Sequence, residues 1–308
     1  MVLTSEPLVS IVTVNYNGVK VTSEFLDSIQ HLTYPQVEVI VVDNASAENA
    51  DVLKERYPWI ILIKSPVNTG FAGGNNLGFQ VAKGKYLLML NNDTEVAPDF
   101  LEPLVKKMEE ENTVGAVSSK VVFFNTDNIL QYAGAGRIHP ITGRGGFIGT
   151  NEKDVFQYPS AQTGHAHGAA MMVKREVIEK IGLMADLYFL YYEELDFCER
   201  IKNAGYSIWY IAESVVYHKE SMTVGRENPL KTYYMTRNRI LFLRRNKKPL
   251  MVMLFMLYFT FIAVPKNSLG YLVRGKLNLL VAFLKGYAWN FFNFNIKQNP
   301  QLSREHSA

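Results

Sequence analysis

The turn Asn91-Asn-Asp-Thr94 follows directly on the apolar run Lys85-Tyr-Leu-Leu-Met-Leu-Asn91. A carboxylate presented at a strand end can ligate a hard divalent cation, Mg²⁺ or Mn²⁺, which prefers oxygen ligands and can in turn hold phosphate. Taken alone, an Asp in such a turn is more often a cap for the next segment, here the one that begins at Pro98. A second acidic stretch, Tyr191-Tyr-Glu-Glu-Leu-Asp-Phe197, places Glu193, Glu194 and Asp196 in the first turn of a predicted helix. Acids there suit the helix dipole. Aromatic neighbours that shield one of them would also raise its pKa toward general-base work. His218, after Ser214-Val-Val-Tyr217, is open to two readings, a metal ligand or a buried histidine. Asn68-Thr-Gly-Phe-Ala-Gly-Gly-Asn-Asn76 is glycine-rich, so backbone can approach a ligand closely ahead of a helix N-terminus that favours negative charge. It matches neither a dinucleotide fingerprint nor a P-loop. The nearest Walker-like stretch, Gly78 to Tyr86, has five residues between its glycines and no Ser or Thr after Lys85.

These groups need elements to position them. Val9 to Asn15 and Val37 to Asp43 are short β-branched runs, predicted as buried strands, with a helix between them over about Val19 to His31. A helix near Glu48 to Tyr57 leads to the apolar run Trp59–Ile63. The glycine-rich loop comes next, then a helix over about Asn76 to Lys83 and the strand 85–91. Strands alternating with helices predict an α/β fold with a mainly parallel sheet covered on both faces. Ligands bind beyond the carboxyl ends of such strands. Asn15, Asn17, Asp43, Asn44 and Asn91 to Asp93 collect there. The region from Val114 to Ile211 is less regular, and glycines crowd 134–149 as turns and a mobile loop. The acidic helix, about Glu194 to Ala204, stops at Gly205.

Charge divides the chain. The net charge is +3, yet residues from Gly225 onward hold 14 Lys and Arg against 2 Asp and Glu. So basic a tail seeks anions: lipid head groups, nucleic acid or a phosphorylated substrate. Leu250 to Val264 is 15 residues without a charge, short for a simple membrane span. Leu269 to Phe294 mixes apolar residues with Arg274, Lys276, Lys285, Tyr271, Tyr287 and Trp289, as a helix lying in a membrane interface does. A buried helical hairpin is the other reading. The expected division is 1–224 for a catalytic domain and 225–308 for a basic, apolar helical region. The single cysteine, Cys198, excludes an intramolecular disulfide and fits a reducing compartment. No apolar leader with a cleavage site opens the chain, so its front is expected in the cytosol.

Taken in order, Val42-Asp-Asn44, Gly70-Phe-Ala-Gly-Gly-Asn75, Asn91-Asn-Asp93 and Glu193-Glu-Leu-Asp196 with Arg200 resemble the family 2 glycosyltransferases of GT-A fold. The likeness runs from about Val9 to Arg245 and is strongest to the bacterial rhamnosyltransferase-like branch. It implies a Rossmann-like catalytic domain that moves a sugar, rhamnose in that branch, from a nucleoside-diphosphate donor with inversion. Asp43, with Val14, Asn15, Tyr16 and Asn17, would recognise the nucleotide base. Gly70, Phe71, Gly74, Asn75 and Asn76 would line the donor pocket, with Asn92 beside them. Asp93 would hold the divalent cation, completed by His218 and the neutral Asn91. Glu194 would be the general base, Asp196 would orient acceptor or base, and Glu193 would lie by the acceptor.

Arg237, Arg239, Arg244 and Arg245 precede the apolar stretch, where guanidinium groups recognise phosphate well. They are expected to meet the diphosphate of a polyprenyl-linked acceptor at the cytoplasmic face of a membrane. Attraction to anionic lipid competes with that reading. A processive polysaccharide synthase is disfavoured because none of Trp59, Trp209 and Trp289 closes a Q-x-x-R-W motif. The same residues would also suit a nucleotidylyltransferase, or a non-catalytic, membrane-associated nucleotide-sugar-binding protein. Nucleic acid is not expected as a partner, since long apolar runs interrupt the basic tail. Oligomeric state is not legible.

Overall fold

A computed structural model describes residues 6–219 and 228–293. β1 (Val9–Asn15), α1 (Val19–Ile29), β2 (Val37–Asp43), α2 (Asp51–Arg56), β3 (Ile61–Lys64), α3 (Gly70–Val81) and β4 (Tyr86–Leu90) follow the predicted alternation. Their strands are parallel, and Asn15 lies opposite Asp43. The second half comprises β5 (Thr94–Val96), α4 (Leu101–Glu110), β6 (Val114–Phe123), β7 (Leu130–Tyr132), β8 (Ala161–Gln162), β9 (Ala170–Lys174), α5 (Arg175–Ile181), α6 (Glu193–Asn203) and β10 (Ser207–His218). The sheet order is β3-β2-β1-β4-β9-β6-β10-β5. β9 runs antiparallel between β4 and β6, so the sheet is parallel in its first half and mixed overall. Because β9 is reversed, its first residue, Ala170, pairs with Leu90 at the carboxyl end of β4. Residues 165–169 are thereby delivered to the edge where the other strands end.

One sheet face buries Phe25, Leu26, Leu101 and Leu104 from α1 and α4. The other buries Ala72 and Phe79 from α3, Val177 from α5 and Phe197 from α6. The glycine-rich segment expected as a loop is the opening of α3 itself. A Cβ at Gly78 would sit 2.3 Å from Val12 Cγ1, and one at Gly74 would sit 2.9 Å from the Val14 methyls. The glycines let this helix lie closer to β1 than any side chain would permit. The glycine-crowded stretch 134–149 is a hydrogen-bonded hairpin, with Ile148 N donating to Gly134 O and Gly136 N to Gly146 O.

The C-terminal helices are α7 (Pro229–Asn246), α8 (Pro249–Tyr258), a π turn (Phe259–Ala263), α9 (Val264–Val273) and α10 (Leu277–Phe292). Helix continues through Pro265, so the apolar run expected to be short belongs to one helix of 25 residues, Pro249–Val273, whose most apolar 18-residue stretch has a mean hydropathy of 1.7. That length and composition would suffice to cross a bilayer. Its inner face, with Phe255, Phe259 and Ala263 buried, packs on α7, where the Arg239 guanidinium lies 5.8 Å and 5.3 Å from the two phenylalanine rings. α10 returns along α7, and Asn290 Nδ2 donates to Arg237 O at 3.1 Å. The expected domain boundary at 224/225 lies outside the described residues, as does the end of the 269–294 stretch.

Asp196 fastens these helices to the sheet domain. It is fully buried, and its Oδ1 accepts from Tyr188 OH (3.0 Å), Arg245 Nε (3.0 Å) and Asn246 Nδ2 (2.7 Å). Its Oδ2 accepts from Arg200 Nε at 3.1 Å. Burial alone would raise this carboxyl's pKa, but the charges of Arg245 and Arg200 and the hydrogen bonds hold it below its ordinary value. The expected catalytic part for Asp196 is therefore corrected. Its oxygens are consumed inside the protein, and it acts as an anchor between α6 and α7. Asp196→Ala leaves Arg200 and Arg245 uncompensated in the interior and is expected to cost about 3–5 kcal/mol, read as a lowered urea midpoint.

Candidate active site

The strand ends build the site. Asn15 Nδ2 donates to Asp43 Oδ1 at 2.8 Å and to Ser46 Oγ at 3.2 Å. Its Oδ1 accepts from Thr22, whose hydroxyl accepts from Asn92 Nδ2 at 2.8 Å. Asn17, at φ +50°, exchanges bonds with the same turn, its N–H donating to Ser46 Oγ and its Oδ1 accepting from Ala47 N. One chain of amides and hydroxyls thus joins the end of β2 to the turn after β4. An open depression of about 430 Å³ beside Asp43 is lined by Ser46, Glu48, Asn49 and Lys64. Val14 is half-buried, its methyls turned toward Gly74, and Tyr16 is exposed.

At the end of β4, His218 Nδ1 lies 2.7 Å from Gln131 Oε1. An amide oxygen only accepts, so Nδ1–H donates to it, and Nε2 is left facing Asp93 Oδ1, 3.1 Å away. Nε2 meets that carboxylate as a donor when the ring is protonated and offers a lone pair to a shared cation when it is not. Asn91 Nδ2 is 3.5 Å from the same Nε2, and Asn91 Oδ1 is buried with no partner. Burial would raise the Asp93 pKa, but His218, its own backbone N–H and Asn91 bring it below its ordinary value. An orphaned oxygen, an imidazole nitrogen and a carboxylate fit a divalent cation that takes its remaining ligands from a diphosphate. Among the described residues no group of three His, Cys, Asp or Glu side chains gathers at one point, so the protein's share of such a shell is small.

Glu194 approaches across Gly168. A Cβ on Gly168 would lie 3.6 Å from Glu194 Cγ, while the next residue, Ala169, accepts from Asn91 N at 3.0 Å. Burial raises the pKa of Glu194, even though backbone N–H groups of the first helical turn oppose it. Glu193 is 3% exposed, and its Oε2 has no partner. Burial first, and the neighbouring Glu194 charge second, push its pKa well up. His167 stands between the two halves of the site, its ring centroid 6.0 Å from that of His218. Ala169 N donates to its Nδ1 at 3.0 Å, and burial, with His218 and His165 nearby, pushes its pKa down to about 3. The 134–149 hairpin lays Phe147 against His165 and His167.

Two groups of expected site residues are placed differently. In α3, the opening N–H groups are already used: Gly70 N donates to Asn68 Oδ1 and Phe71 N to Phe189 O. Asn75 Nδ2 turns back to Phe71 O, and Asn76 bonds Met184 through both ends of its amide and reaches Asp186. Gly70, Gly74, Asn75 and Asn76 therefore shape the wall of the pocket from within. Arg237 donates to the carbonyls of Leu187 and Tyr188, Arg239 to Thr142 O, and Arg244 to the carbonyls of Asn290 and Asn293. With Arg245 on Asp196, these guanidiniums brace the C-terminal helices, which corrects the expectation that they meet an acceptor diphosphate. Gln131, His167 and Thr22 were not singled out from sequence. The two histidines of His165-Ala-His-Gly168 just before an apolar run were the available signal, hidden because β9 enters the sheet reversed.

This mixed sheet with an acidic turn after its fourth strand is the GT-A arrangement of a glycosyltransferase. Residues 10–182 match the description "Glycosyl transferase family 2", and the chain belongs to that family. It is 24% identical to the dTDP-rhamnosyl transferase RfbF of Shigella flexneri, over 79% of this chain and 84% of that one. It is 21% identical to the N-acetylglucosaminyl-diphospho-decaprenol L-rhamnosyltransferase of Mycobacterium tuberculosis, over 70% of this chain and 78% of that one. An uncharacterised Sinorhizobium fredii protein is 27% identical over 79% of this chain, which spans only 28% of that protein's length. In fold it resembles the mannosyltransferase PcManGT of Pyrobaculum calidifontis, solved with GDP-Man and Mn²⁺. The TM-score is 0.59 and the identity 19%, covering 99% of this chain and 80% of that one.

Gly70 joins the two walls of the site. It sits at φ +72°, and a Cβ there would lie 2.2 Å from Phe189 O, in the loop that leads to Glu194. Gly70→Ala is expected to destabilise by more than about 1 kcal/mol and to reduce transfer, as read by thermal unfolding and initial rates. Gly136→Ala, where a Cβ meets nothing within 4 Å, should change neither.

Proposed function

We propose that this glycosyltransferase moves a sugar, with inversion, from a nucleoside-diphosphate donor to a hydroxyl of a polyprenyl-diphosphate-linked glycan at the cytoplasmic face of a membrane. The observation that carries the reading is the juxtaposition of an acceptor-rich cation corner, made by Asn91, Asp93 and His218, with Glu194 across Gly168. Rhamnose is the favoured sugar, because RfbF and the mycobacterial relative are both named as rhamnosyltransferases. The lipid-linked acceptor draws on the mycobacterial relative's name, and on Leu257, Phe261, Leu269 and Val273, which expose an apolar flank of the long helix.

Asp43 and the Asn15–Ser46 turn would receive the nucleoside, with the diphosphate lying toward Asn92 and Asp93. Asp93 and His218 would hold Mg²⁺ or Mn²⁺, with Asn91 Oδ1 beside them; a cation there neutralises charge on a leaving diphosphate. Gln131 keeps His218 in the tautomer that leaves Nε2 free. Glu194, as carboxylate, takes the proton of the acceptor hydroxyl. The hydroxyl oxygen bonds the anomeric carbon on the face opposite the leaving group, and the C–O bond to the diphosphate breaks, so a single displacement inverts the centre.

Purified protein is to be tested against a panel of nucleotide sugars with Mg²⁺, Mn²⁺ or EDTA, using soluble and lipid-linked acceptors. Metal-dependent release of a nucleoside diphosphate, faster with the lipid-linked acceptor, is expected. General-base assistance is worth about 10²–10⁴-fold, so Glu194→Gln should lose that much kcat while still binding the nucleotide; near-normal turnover would remove Glu194 from the role. Because burial raises the Glu194 pKa and only the carboxylate accepts a proton, kcat/KM should rise with pH along a limb lying above the ordinary glutamate range. A profile flat from pH 4 upward would contradict it.

A further inference from the structure

We propose that Asn238 is a positioning residue for Glu194, holding from α7 the strained loop on which that carboxylate is mounted. The inference rests on the reading of Glu194 as the base. Between the short turn at Asp186–Tyr188 and the start of α6, three side-chain-bearing residues sit in the left-handed region: Phe189 at φ +64°, Tyr191 at +68° and Tyr192 at +75°. Such a backbone conformation is costly for a residue with a side chain, and it persists only where its surroundings over-determine it. Tyr192 caps α6, and its carbonyl accepts from Asp196 N at 2.9 Å, so these angles set where the first turn of α6 points. Glu193 and Glu194 are the next two residues.

The alternating backbone turns several carbonyls to one side. Asn238 Nδ2 meets three of them, Tyr188 O at 2.9 Å, Leu190 O at 2.8 Å and Tyr191 O at 2.8 Å. The side chain is wholly buried in the middle of α7, where asparagine is a poor helix former. Its orientation is determined: Arg237 Nε donates to Asn238 Oδ1 at 2.8 Å, which fixes the oxygen on that side and the NH₂ on the carbonyls. Arg237 Nη2 reinforces Tyr188 O at 2.9 Å, and the guanidinium stacks 4.6 Å from the centre of the Trp289 ring on α10. The Phe189 carbonyl points elsewhere and accepts from Phe71 N at 2.7 Å. The loop is thus held from one side by the glycine-opened helix and from the other by α7. Asn238 sets how far Glu194 stands from the strand ends where the donor would lie.

Displacing a reacting group by about 1 Å can cost on the order of 10²-fold in rate. Full-length Asn238→Ala is therefore expected to lose at least about tenfold in kcat, with donor KM and nucleoside-diphosphate affinity within about twofold of the parent protein. The limb of the pH profile assigned to Glu194 should move as well, which a loss confined to folding stability would not produce. Asn238→Gln keeps the NH₂ donor but reaches one methylene further, so it should fold and still turn over more slowly. Unchanged kcat in the Gln variant, or a kcat loss in folded protein matched by an equal loss of nucleotide affinity, overturns the positioning role. Glu194→Gln is assayed alongside. If that variant stays active, the base assignment fails and takes this proposal with it; if it is inactive while Asn238→Ala turns over normally, the positioning role alone fails.

Discussion

A single buried carboxylate joins the two parts of this enzyme. Asp196 stands one turn into α6, and every bond it makes leads to a different piece of chain: Tyr188 in the loop before the helix, Arg200 along it, Arg245 and Asn246 at the end of α7. Taking charges out of water costs several kcal/mol per ion, and only close pairing with full hydrogen bonding offsets that cost. The pairing has one geometry, so α7 has one place against α6. The long apolar helix and α10 inherit their positions from α7. The helix that bears Glu194 and the helices with the exposed apolar flank consequently move as one body.

That arrangement reassigns the basic residues of the tail. Four arginines in nine residues of α7 suggest an anion-binding face, yet all four are turned inward, onto carbonyls, aromatic rings or Asp196. Guanidinium serves such places because five donors in a fixed plane can satisfy carbonyls that have lost their own partners. The carbonyls of Leu187 and Tyr188 need this help beside the left-handed backbone at Phe189, Tyr191 and Tyr192, and those of Asn290 and Asn293 need it at the open end of α10. Lys248, Lys266 and Lys285 are exposed along the apolar helices, with no acidic residue among the described 228–293. Basic groups near a membrane surface contribute about 1 kcal/mol each, and the apolar flank adds to them.

The sheet edge that carries Asp43 and Asp93 owes its composition to one reversed strand. In an all-parallel sheet only the carboxyl ends of strands would gather there. β9 runs the other way, so His167, Gly168 and Ala169 lie beside Asn91 and separate the corner of Asn91, Asp93 and His218 from Glu194. A glycine at 168 keeps that partition thin. His167, kept neutral by burial, adds no charge between an acidic corner and a buried glutamate.

Much of this was legible in the chain itself. Short apolar runs ending in Asn or Asp, β-branched in the first two, determine β1, β2 and β4 and put Asn15, Asp43 and Asn91–Asp93 at one edge, because a strand's apolar length and its polar end are both local properties. The acidic opening of α6 and its stop at Gly205, which adopts φ +91°, are local in the same sense. Tertiary structure alone decided which polar residues are spent inside the protein. Asn76, Asp196, Arg237 and Arg239 have the composition of site residues, and nothing in sequence order reveals that a partner distant in the chain already uses their hydrogen-bonding groups. It also decided that the glycines at 70–78 open a helix packed on β1, since their close approach to Val12 and Val14 appears only once strand and helix are docked. Asn238 and Gln131 were invisible for the converse reason: each acts on groups roughly 50 or 90 positions away, and hydrogen bonds of that separation leave no period or spacing in a sequence.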